Sequence, residues 1–360
     1  MSPRALPSGM PIHVPTDARS ERVFPSPLAG SVEVHRFESQ VLVGNPWDDP
    51  TVRDLPVYIP PSGTTKGLPL LVLLSGYTGF GGMHFEPPLF LRSTIIRRLD
   101  SLIRTGVAPE AVLVAPDCLT TLGGSQYLNS SATGRYEDYV VQELLPWVQR
   151  RYGTGPSALL GTSSGGYGSL VLALRHPDVF RAAGSNSGDA YFEYCYLPEF
   201  PAAFRALRRA GGPDALLRRM LNEPTRDFGP SNPDMQAFEL MAYASAYSPT
   251  PDHPGEFELP FDLVSGALRE EVWSRWLAWD PVRMVRTPTY SAALRQLACV
   301  YVDGGVRDQF GLDLGARIFA REAKAQGGHI DHEEFEGGHW DAVPRYDVMI
   351  PRLLRALAPP

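Results

Sequence analysis

The sequence predicts an α/β fold in which helices cover both faces of a mostly parallel central sheet. Short apolar segments alternate along the chain with longer segments whose apolar residues recur at helical spacing. The segment 68–74 is a continuous apolar run, which is typical of a central strand in a parallel sheet. Turn residues such as Pro60-Pro61 and Ser75-Gly76 close the strand candidates. Strands that alternate with helices in this way imply a parallel sheet.

The predicted elements follow one another in a regular order. Strands are predicted at 31–43, 54–59, 68–74, 111–115, 158–160 and 181–184, with helices at 87–105, 136–152 and 165–175. The last part of the chain adds a strand, a helix, a strand and a helix at 297–302, 313–325, 329–335 and 346–357. In the helix at 136–152 the apolar residues line one side, and Glu137 and Asp138 near its start favour the positive end of the helix dipole.

The chain is too long for this sheet and its helices alone. Its 360 residues exceed the roughly 250 residues of a large single α/β domain. Residues 1–28 form a Pro-rich arm without periodicity, and residues 189–285 contain helical patches without clear strand alternation. We therefore predict a core at 29–188 and 286–360, with 189–285 inserted as a mainly helical cap over one edge of the sheet.

Composition and charge exclude several classes of protein. With 43% hydrophobic and 20% charged residues the chain is globular, and its net charge of −7 without a dense basic run argues against a nucleic-acid partner. No segment approaches the roughly 20 apolar residues of a membrane span. Residues 1–22 lack the apolar region of a signal peptide, which favours a cytoplasmic location. The oligomeric state stays open, and a homo-oligomer is one possibility.

Neither a metal ion nor a cofactor is expected. The cysteines Cys118, Cys195 and Cys299 are too few and too scattered for a disulfide framework or a CxxC metal site. His329 and His332 have a ligand-like spacing, but residues three apart in a strand point to opposite faces. The glycine patterns that bind dinucleotides or nucleotide phosphates are absent.

The sharpest motif is Gly161-Thr162-Ser163-Ser164-Gly165-Gly166, between a predicted strand and a predicted helix. In this setting G-x-S-x-G is a nucleophile elbow, a sharp turn that lifts the serine hydroxyl clear of the sheet. Small residues on either side let the backbone close without a clash. Ser163 is therefore the candidate nucleophile. The Ser164 amide, at the start of the helix, is a candidate donor to a developing oxyanion.

His339 is the candidate general base. It lies in the glycine-rich segment 336–340, directly after the last predicted strand and at the edge of the sheet where the elbow is expected. Of the other histidines well beyond the elbow, His329 and His332 fall in that strand and His253 falls in the insert. A serine followed along the chain by an acid and then a histidine is the triad order of α/β-hydrolases.

Three aspartates compete for the role of the acid that orients His339. Asp303 stands at the end of the predicted strand 297–302 and precedes two glycines, and Asp313 is placed to cap the next helix. Asp308 lies in the loop between them and is our choice, with Asp303 as the alternative. The acid would hold the histidine tautomer and stabilise the imidazolium without taking a proton.

A second oxyanion donor is expected in the loop 75–82, which follows the apolar strand. The glycines of this loop allow its backbone to approach a ligand closely. The Tyr77 amide is the best candidate and the Gly76 amide the second. The alternative interpretation is a flexible glycine-rich turn without a catalytic role.

Several segments resemble the esterase D-like branch of the α/β-hydrolase superfamily, which includes S-formylglutathione hydrolases, tributyrin, feruloyl and enterochelin esterases, and antigen 85 mycolyltransferases. The segments that carry the resemblance are 57–61, 71–77, 123–130, 136–139, 143–146, 161–166, 280–281, 304–308 and 337–340. The elbow is shared by the whole superfamily, whereas the block 127–146 is more specific to this branch. The resemblance implies an α/β-hydrolase fold and ester hydrolysis through an acyl-enzyme, with Ser163, Asp308 and His339 as the triad.

Two departures from the family pattern concern the substrate site. Many relatives have His-Gly where this chain has Ser75-Gly76, and the insert 189–285 does not align with them. Candidate substrate contacts are Gly76, Tyr127, Tyr191 and Trp340. The aromatic run that begins at Tyr191 follows a strand end, so it could line a pocket for an acyl or aryl group, although a packed hinge core fits the pattern equally well.

These observations lead to the hypothesis of a serine carboxylesterase that acts on a small-molecule ester. An acyltransferase with the same triad and an alcohol acceptor is the alternative, since both reactions need an acyl-enzyme. A peptidase and a non-catalytic binding protein on a hydrolase fold are less favoured. The binding protein is disfavoured because no member of the triad is missing from the sequence.

Overall fold

The computed structural model describes residues 27–85, 93–222 and 232–358. Its main strands are β1 Ser31–Glu38, β2 Val52–Ile59, β3 Leu70–Leu74, β4 Val112–Val114, β7 Ser157–Thr162, β8 Phe180–Asn186, β9 Cys299–Gly305 and β10 Ile330–Phe335. They form one eight-stranded sheet in the order β1-β2-β4-β3-β7-β8-β9-β10, while β5 Asn129–Ser130 and β6 Gly134–Arg135 form a separate ribbon. The predicted α/β fold is confirmed.

Strand direction brings the ends of the central strands together. The pairs β4–β3, β3–β7, β7–β8, β8–β9 and β9–β10 are all parallel, and only β2 runs against its neighbours β1 and β4. The carboxyl ends of β3, β7, β8, β9 and β10 therefore share one edge of the sheet. In open α/β sheets this is the edge at which ligands bind.

Both faces of the sheet are covered, which explains the continuous apolar run of β3. Leu70, Val72 and Leu74 point into one buried cluster, and Leu71 and Leu73 point into another on the opposite face. The successive side chains of a strand alternate in this way, so a strand buried on both faces needs apolar residues throughout.

Thirteen α-helical segments occur within the described ranges. They are α1 Ile95–Arg104, α2 Tyr136–Asp138, α3 Leu145–Tyr152, α4 Ser164–Arg175, α5 Phe192–Cys195, α6 Phe200–Ala210, α7 Pro213–Asn222, α8 Pro233–Tyr247, α9 Glu270–Leu277, α10 Pro281–Met284, α11 Pro288–Leu294, α12 Leu312–Ala325 and α13 Tyr346–Leu357. Helices α1 and α13 pack on one face of the sheet, while α3, α4, α12 and the insert pack on the other. None of these helices combines the length and apolar character that a membrane crossing requires.

Several predicted boundaries change. The strand predicted at 31–43 ends at Glu38, because a turn follows in which the Asn45 side-chain amide donates to Leu42 O over 3.0 Å. The helix predicted at 136–152 is confirmed as α2 and α3 joined by a π-helical stretch, Tyr139–Leu144. The helix predicted at 87–105 is observed from Ile95, and 86–92 lie outside the described residues. Most of the predicted arm at 1–28 lies outside them too.

The described part of the insert 189–285 contains helices α5 to α10, with two isolated bridges, Pro249–Phe257 and Phe261–Leu268. Its two ends are joined by Asp280, whose carboxylate accepts hydrogen bonds from the amides of Tyr191 (3.0 Å), Phe192 (3.1 Å) and Val282 (2.9 Å). The insert therefore leaves and re-enters the core at one point. Its role as a cap and its exact limits stay predictions.

Candidate active site

Ser163 stands at the turn between β7 and α4. Its φ of +57° and ψ of −128° lie outside the regions that most residues adopt, as the sharp turn of a nucleophile elbow requires. The turn is held because the Ser163 amide donates to Asn186 O over 3.0 Å and the Tyr167 amide donates to Ser163 O over 2.9 Å. The side chain of Ser163 makes no hydrogen bond to any described residue.

The glycines of the elbow are required because no side chain fits at their positions. A Cβ at Gly165 would lie 2.1 Å from Leu74 O, and a Cβ at Gly161 would lie 2.4 Å from the carbonyl of Gly165. Both distances are far below any contact that a real Cβ makes. The strand β3, the elbow and α4 can therefore pack this closely only because these two positions carry no side chain.

His339 and Asp308 form a buried pair in the loops that follow β10 and β9. His339 Nδ1 lies 3.0 Å from Asp308 Oδ2, and His339 is only 6% exposed. The second oxygen of Asp308 accepts the Phe310 amide at 2.9 Å, which fixes the carboxylate plane. An acceptor at Nδ1 places the proton of a neutral imidazole there and leaves Nε2 free to act as a base.

Aromatic rings enclose the imidazole of His339. The ring of Phe310 lies 5.0 Å from it and the ring of Trp340 lies 5.2 Å from it, both edge to face. The His339 amide also donates to the Gln309 side-chain oxygen at 3.2 Å. The histidine is therefore fixed in position by contacts from both loops.

The alternative acid, Asp303, has a different partner. Its Oδ2 accepts from Arg345 Nε at 2.8 Å and from the Tyr301 hydroxyl at 2.7 Å. Its side chain thus points into an ion-pair network and not to His339. Asp313 lies in the first turn of α12, whose N-cap is Gly311, so the helix is not capped by Asp313 as the sequence suggested.

Asn186 links the two halves of the site, and the sequence did not single it out. Its carbonyl accepts the Ser163 amide, and its side-chain amide donates to Ala342 O over 2.7 Å, three residues beyond His339. Asn186 is fully buried at the end of β8. An asparagine after a short strand is too common a pattern to reveal such a role from sequence.

The loop 75–82, which we call the oxyanion loop, runs against the elbow. A Cβ at Gly76 would lie 3.4 Å from Ser163 Cβ. Within the described ranges the Tyr77 amide has no hydrogen-bond acceptor. Ser164 is the first residue of α4, and the first N–H groups of a helix have no intrahelical partner. Both candidate oxyanion donors are therefore at positions that leave an amide free.

The candidate substrate contacts have different surroundings. Trp340 is 67% exposed beside His339, and Tyr191 is partly buried with its ring 4.7 Å from that of Tyr194. Tyr127 is only 4% exposed, and its hydroxyl donates to Ser75 O over 2.6 Å. These contacts place Tyr127 behind the oxyanion loop, whereas Trp340 and Tyr191 keep exposed surface.

Acidic side chains of the insert lie near the histidine. Asp189 and Glu239 are close enough to His339 to interact with it electrostatically. Glu199 interacts with both of these acids. Burial raises the pKa of Glu239 to about 7 and that of Glu199 to about 8, although both retain some exposed surface.

The carboxylates of Glu239 and Asp189 accept hydrogen bonds from tyrosine hydroxyls and from a glutamine side-chain amide. Tyr243 donates to Glu239 over 2.5 Å. Asp189 Oδ2 accepts from Tyr196 at 2.9 Å and from the Gln126 side chain at 3.1 Å. Burial also raises the pKa of Asp189, since no arginine or lysine pairs with it among the described residues.

No group of three or more histidine, cysteine or acidic side chains in the described ranges could hold a metal ion. His332 Nε2 lies 4.0 Å from Glu334 Oε1, and His332 belongs to no such group of ligands among the described residues.

The strand order and the strained serine at the end of β7 define an α/β-hydrolase fold. The model of the "Putative esterase" family matches residues 51–343, which is most of the chain. The protein belongs to this esterase family, as the resemblance in its motifs predicted.

Solved structures share the fold at low sequence identity. A ferulic acid esterase covers 91% of this chain and 98% of its own, with a TM-score of 0.57 and 19% identity. An S-formylglutathione hydrolase from Agrobacterium tumefaciens covers 93% of this chain and 98% of its own, with a TM-score of 0.55 and 16% identity. Both structures therefore share the overall fold of this chain.

A relative recognised by sequence matches only locally. The MPT51 antigen of Mycobacterium leprae (strain TN) is 35% identical over 96 residues. The match covers 22% of this chain and 32% of that protein. The chain therefore spans about a third of the length of this relative.

Proposed function

We propose that the protein is a serine carboxylesterase that hydrolyses a small-molecule carboxylic ester through an acyl-enzyme. The observation that carries the proposal is the 3.0 Å hydrogen bond between His339 Nδ1 and Asp308 Oδ2, at the edge of the sheet that also bears the strained Ser163. An acid–histidine pair beside an elbow serine is the arrangement that activates a serine for acyl transfer. Membership of the esterase family supports an ester as the substrate.

In the acylation step Ser163 Oγ attacks the ester carbonyl carbon while His339 Nε2 takes the hydroxyl proton. The negative charge that develops on the carbonyl oxygen is held by the amides of Ser164 and Tyr77. Each such contact is typically worth about 3–4 kcal/mol of transition-state stabilisation. The tetrahedral intermediate then expels the alcohol, which leaves with the proton from His339.

In the deacylation step a water molecule replaces the alcohol. His339 removes a proton from the water, the resulting oxygen attacks the acyl carbon, and Ser163 departs with its proton restored. The Asp308 carboxylate accepts a hydrogen bond from the Nδ1–H group of His339 throughout. It also stabilises the imidazolium that forms in both steps. Neither step needs a metal ion or an organic cofactor.

The surroundings of His339 favour an ester with an apolar or aromatic group. Trp340 presents an exposed ring next to the imidazole, and Tyr191 and Tyr194 form a second aromatic pair at the start of the insert. Aromatic faces pack well against acyl chains and aryl rings. The ferulic acid esterase with the same fold is named for an aromatic acid, which agrees with this choice.

The experiment that tests the proposal is the turnover of p-nitrophenyl acetate and butyrate by the wild type and by Ser163→Ala. We expect the variant to lose about 10⁴-fold or more in kcat, because a nucleophile that forms a covalent intermediate cannot be replaced by a methyl group. Ser187→Ala is the matched control, since Ser187 is buried near the end of β8 and its hydroxyl has no partner among the described residues.

Equal turnover by the wild type and Ser163→Ala would exclude the serine mechanism. Ser187→Ala should hydrolyse both esters at the wild-type rate. Product analysis with and without added alcohols separates hydrolysis from acyl transfer. A transesterified product in place of the free acid would favour the acyltransferase.

A further inference from the structure

We propose that the segment 120–127 is a latch that holds the oxyanion loop in register with Ser163, and that Tyr127 is its main positioning residue. The inference rests on the proposed function, because it assigns the latch to the amides that would bind the oxyanion. Tyr127 does not touch the reacting atoms in this account. It acts through the peptide that follows Ser75.

The latch is built from reciprocal hydrogen bonds. The Tyr127 hydroxyl donates to Ser75 O over 2.6 Å, and the Tyr77 hydroxyl donates in the opposite direction to Leu122 O over 2.9 Å. Between them, the Thr78 amide donates to Gly123 O over 2.8 Å. Each loop thus contributes one tyrosine that reaches a backbone carbonyl of the other.

Two glycines leave the space that the rings of Tyr127 and Tyr77 occupy. A Cβ at Gly168 in α4 would lie 2.3 Å from the Tyr127 ring, and a Cβ at Gly123 would lie 2.8 Å from the Tyr77 ring. Gly123 also has a φ of +91°, which a side chain would oppose. The rings are therefore confined, and their hydroxyls have little freedom to leave their acceptors.

Backbone strain is concentrated at the same place. Gln126, Tyr127 and Thr78 have φ values of +49°, +57° and +60°, in the left-handed region that residues other than glycine rarely adopt. Such conformations persist where surrounding contacts impose them, and they cluster at functional sites. Here the Gln126 side chain is held by the Tyr247 hydroxyl at 2.8 Å, which anchors the strained turn to the insert.

Ser75 is held from its other side as well. Its hydroxyl lies 2.9 Å from His84 Nε2. Burial lowers the pKa of His84 to about 4, so the imidazole is neutral at physiological pH and can share one hydrogen bond with the serine. The carbonyl and the side chain of Ser75 are thus both fixed.

The consequence concerns the two amides that follow Ser75. The carbonyl that Tyr127 binds belongs to the peptide unit whose N–H is that of Gly76, and the next N–H is that of Tyr77. The Gly76 backbone approaches Ser163 closely, as a Cβ there would lie 3.4 Å from Ser163 Cβ. Rotation of this peptide unit would turn the oxyanion donors away from the reacting carbonyl.

The test is the steady-state kinetics of Tyr127→Phe with p-nitrophenyl butyrate. We expect kcat to fall by about 10- to 100-fold with KM changed by less than about 2-fold, because misplaced donors weaken binding of the transition state and not of the substrate. The affinity for a phenylboronic acid, which forms a tetrahedral adduct with an activated serine, should fall by a similar factor.

Tyr77→Phe tests the latch from its other side and should also lower kcat at unchanged KM. The matched control is Tyr58→Phe, which removes a buried tyrosine hydroxyl bonded to Asp100 at 3.0 Å on the opposite face of the sheet. Its kcat should equal that of the wild type. Thermal unfolding of each variant identifies any that fails to fold, and Tyr77→Phe then decides in place of Tyr127→Phe.

The possible outcomes separate the two proposals. An inactive Ser163→Ala together with wild-type kcat in the folded tyrosine variants would overturn the latch and leave the esterase mechanism standing. A change confined to KM would overturn the latch as well, since it would place the hydroxyls in substrate binding. An active Ser163→Ala would overturn the esterase mechanism itself, and with it the latch.

Discussion

One group of acids in the core and one group in the insert have different partners. In the core, Asp303 and Glu333 lie in a network with Arg345 and Arg352. Arg345 Nε contacts Asp303 at 2.8 Å, and both arginines also contact Glu333. The hydrogen bond from Arg352 holds the pKa of Glu333 below its usual value.

In the insert, Asp189, Glu199, Glu239 and Asp280 have no ion pair with arginine or lysine among the described residues. The carboxylates of Asp189, Glu239 and Asp280 accept hydrogen bonds from tyrosine hydroxyls, a glutamine side chain and backbone amides. Burial consequently raises all four pKa values, to about 6 for Asp280 and about 7 for Glu239. In the core network Arg352 and Arg345 therefore keep Glu333 ionised, although burial raises the pKa of Asp303, whereas Glu239 in the insert changes its charge near neutral pH, close to His339.

The largest expected effect separates the two core aspartates that competed for the triad. Asp308→Asn should lower kcat by about 10³- to 10⁴-fold, because an asparagine stabilises the wrong tautomer of His339. Asp303→Asn should leave kcat unchanged, since Asp303 pairs with Arg345. Steady-state kinetics of both folded variants checks this, and a larger loss in Asp303→Asn would reverse the assignment of the acid.

Much of the candidate site could be proposed from sequence because its parts are marked locally. The elbow lies within six consecutive residues, and His339 follows a strand within a few residues. The sequence left Asp308 and Asp303 as candidates for the acid that orients His339, since one lies just after β9 and the other near its end. Only the fold shows that the Asp303 side chain faces Arg345.

The latch and the insert acids could not be predicted, because their partners are distant in sequence. The acceptor of the Tyr127 hydroxyl is 52 residues away, and the Gln126 side chain reaches Tyr247 across 121 residues. The sequence places Tyr127 among the candidate substrate contacts, within a block that resembles the family. Its position behind the oxyanion loop depends on a glycine in α4, Gly168, that no local pattern connects to it.

The second prediction tests the ion pair between Arg345 and Asp303 in the core. Arg345→Met should lower the free energy of unfolding by about 3–5 kcal/mol at pH 7, because it leaves buried Asp303 without its cation. Arg317→Met is the control, since its ion pair with Glu334 lies on an exposed side chain and should be worth less than about 1 kcal/mol. Urea unfolding of both variants measures the difference, and equal losses would remove the distinction between the two kinds of acid.

The smallest expected effect concerns Glu239 in the insert. Its pKa is raised from 4.5 to about 7 in the folded state, so the folded protein binds the proton more tightly than the unfolded chain. The wild type should therefore lose stability as the pH rises from about 4.5 through 7, by on the order of 1–3 kcal/mol. Glu239→Gln, which cannot ionise, should lack this part of the decline.

Thermal unfolding of the wild type and Glu239→Gln between pH 5 and 8 measures the effect. The difference in Tm should favour the variant increasingly toward pH 8. Parallel curves for the two proteins would show that Glu239 is already ionised in the folded state at pH 5. The contrast between core and insert would then not extend to this residue.

The nucleophilic role of Ser163 is measured most directly by mass spectrometry of the protein after treatment with an alkyl fluorophosphonate, which an activated serine attacks with loss of fluoride. We predict a single adduct that maps to the peptide containing Ser163. We also predict no adduct in Ser163→Ala and strongly slowed labelling in His339→Ala. An adduct at another residue, or equal labelling of the wild type and Ser163→Ala, would contradict this role.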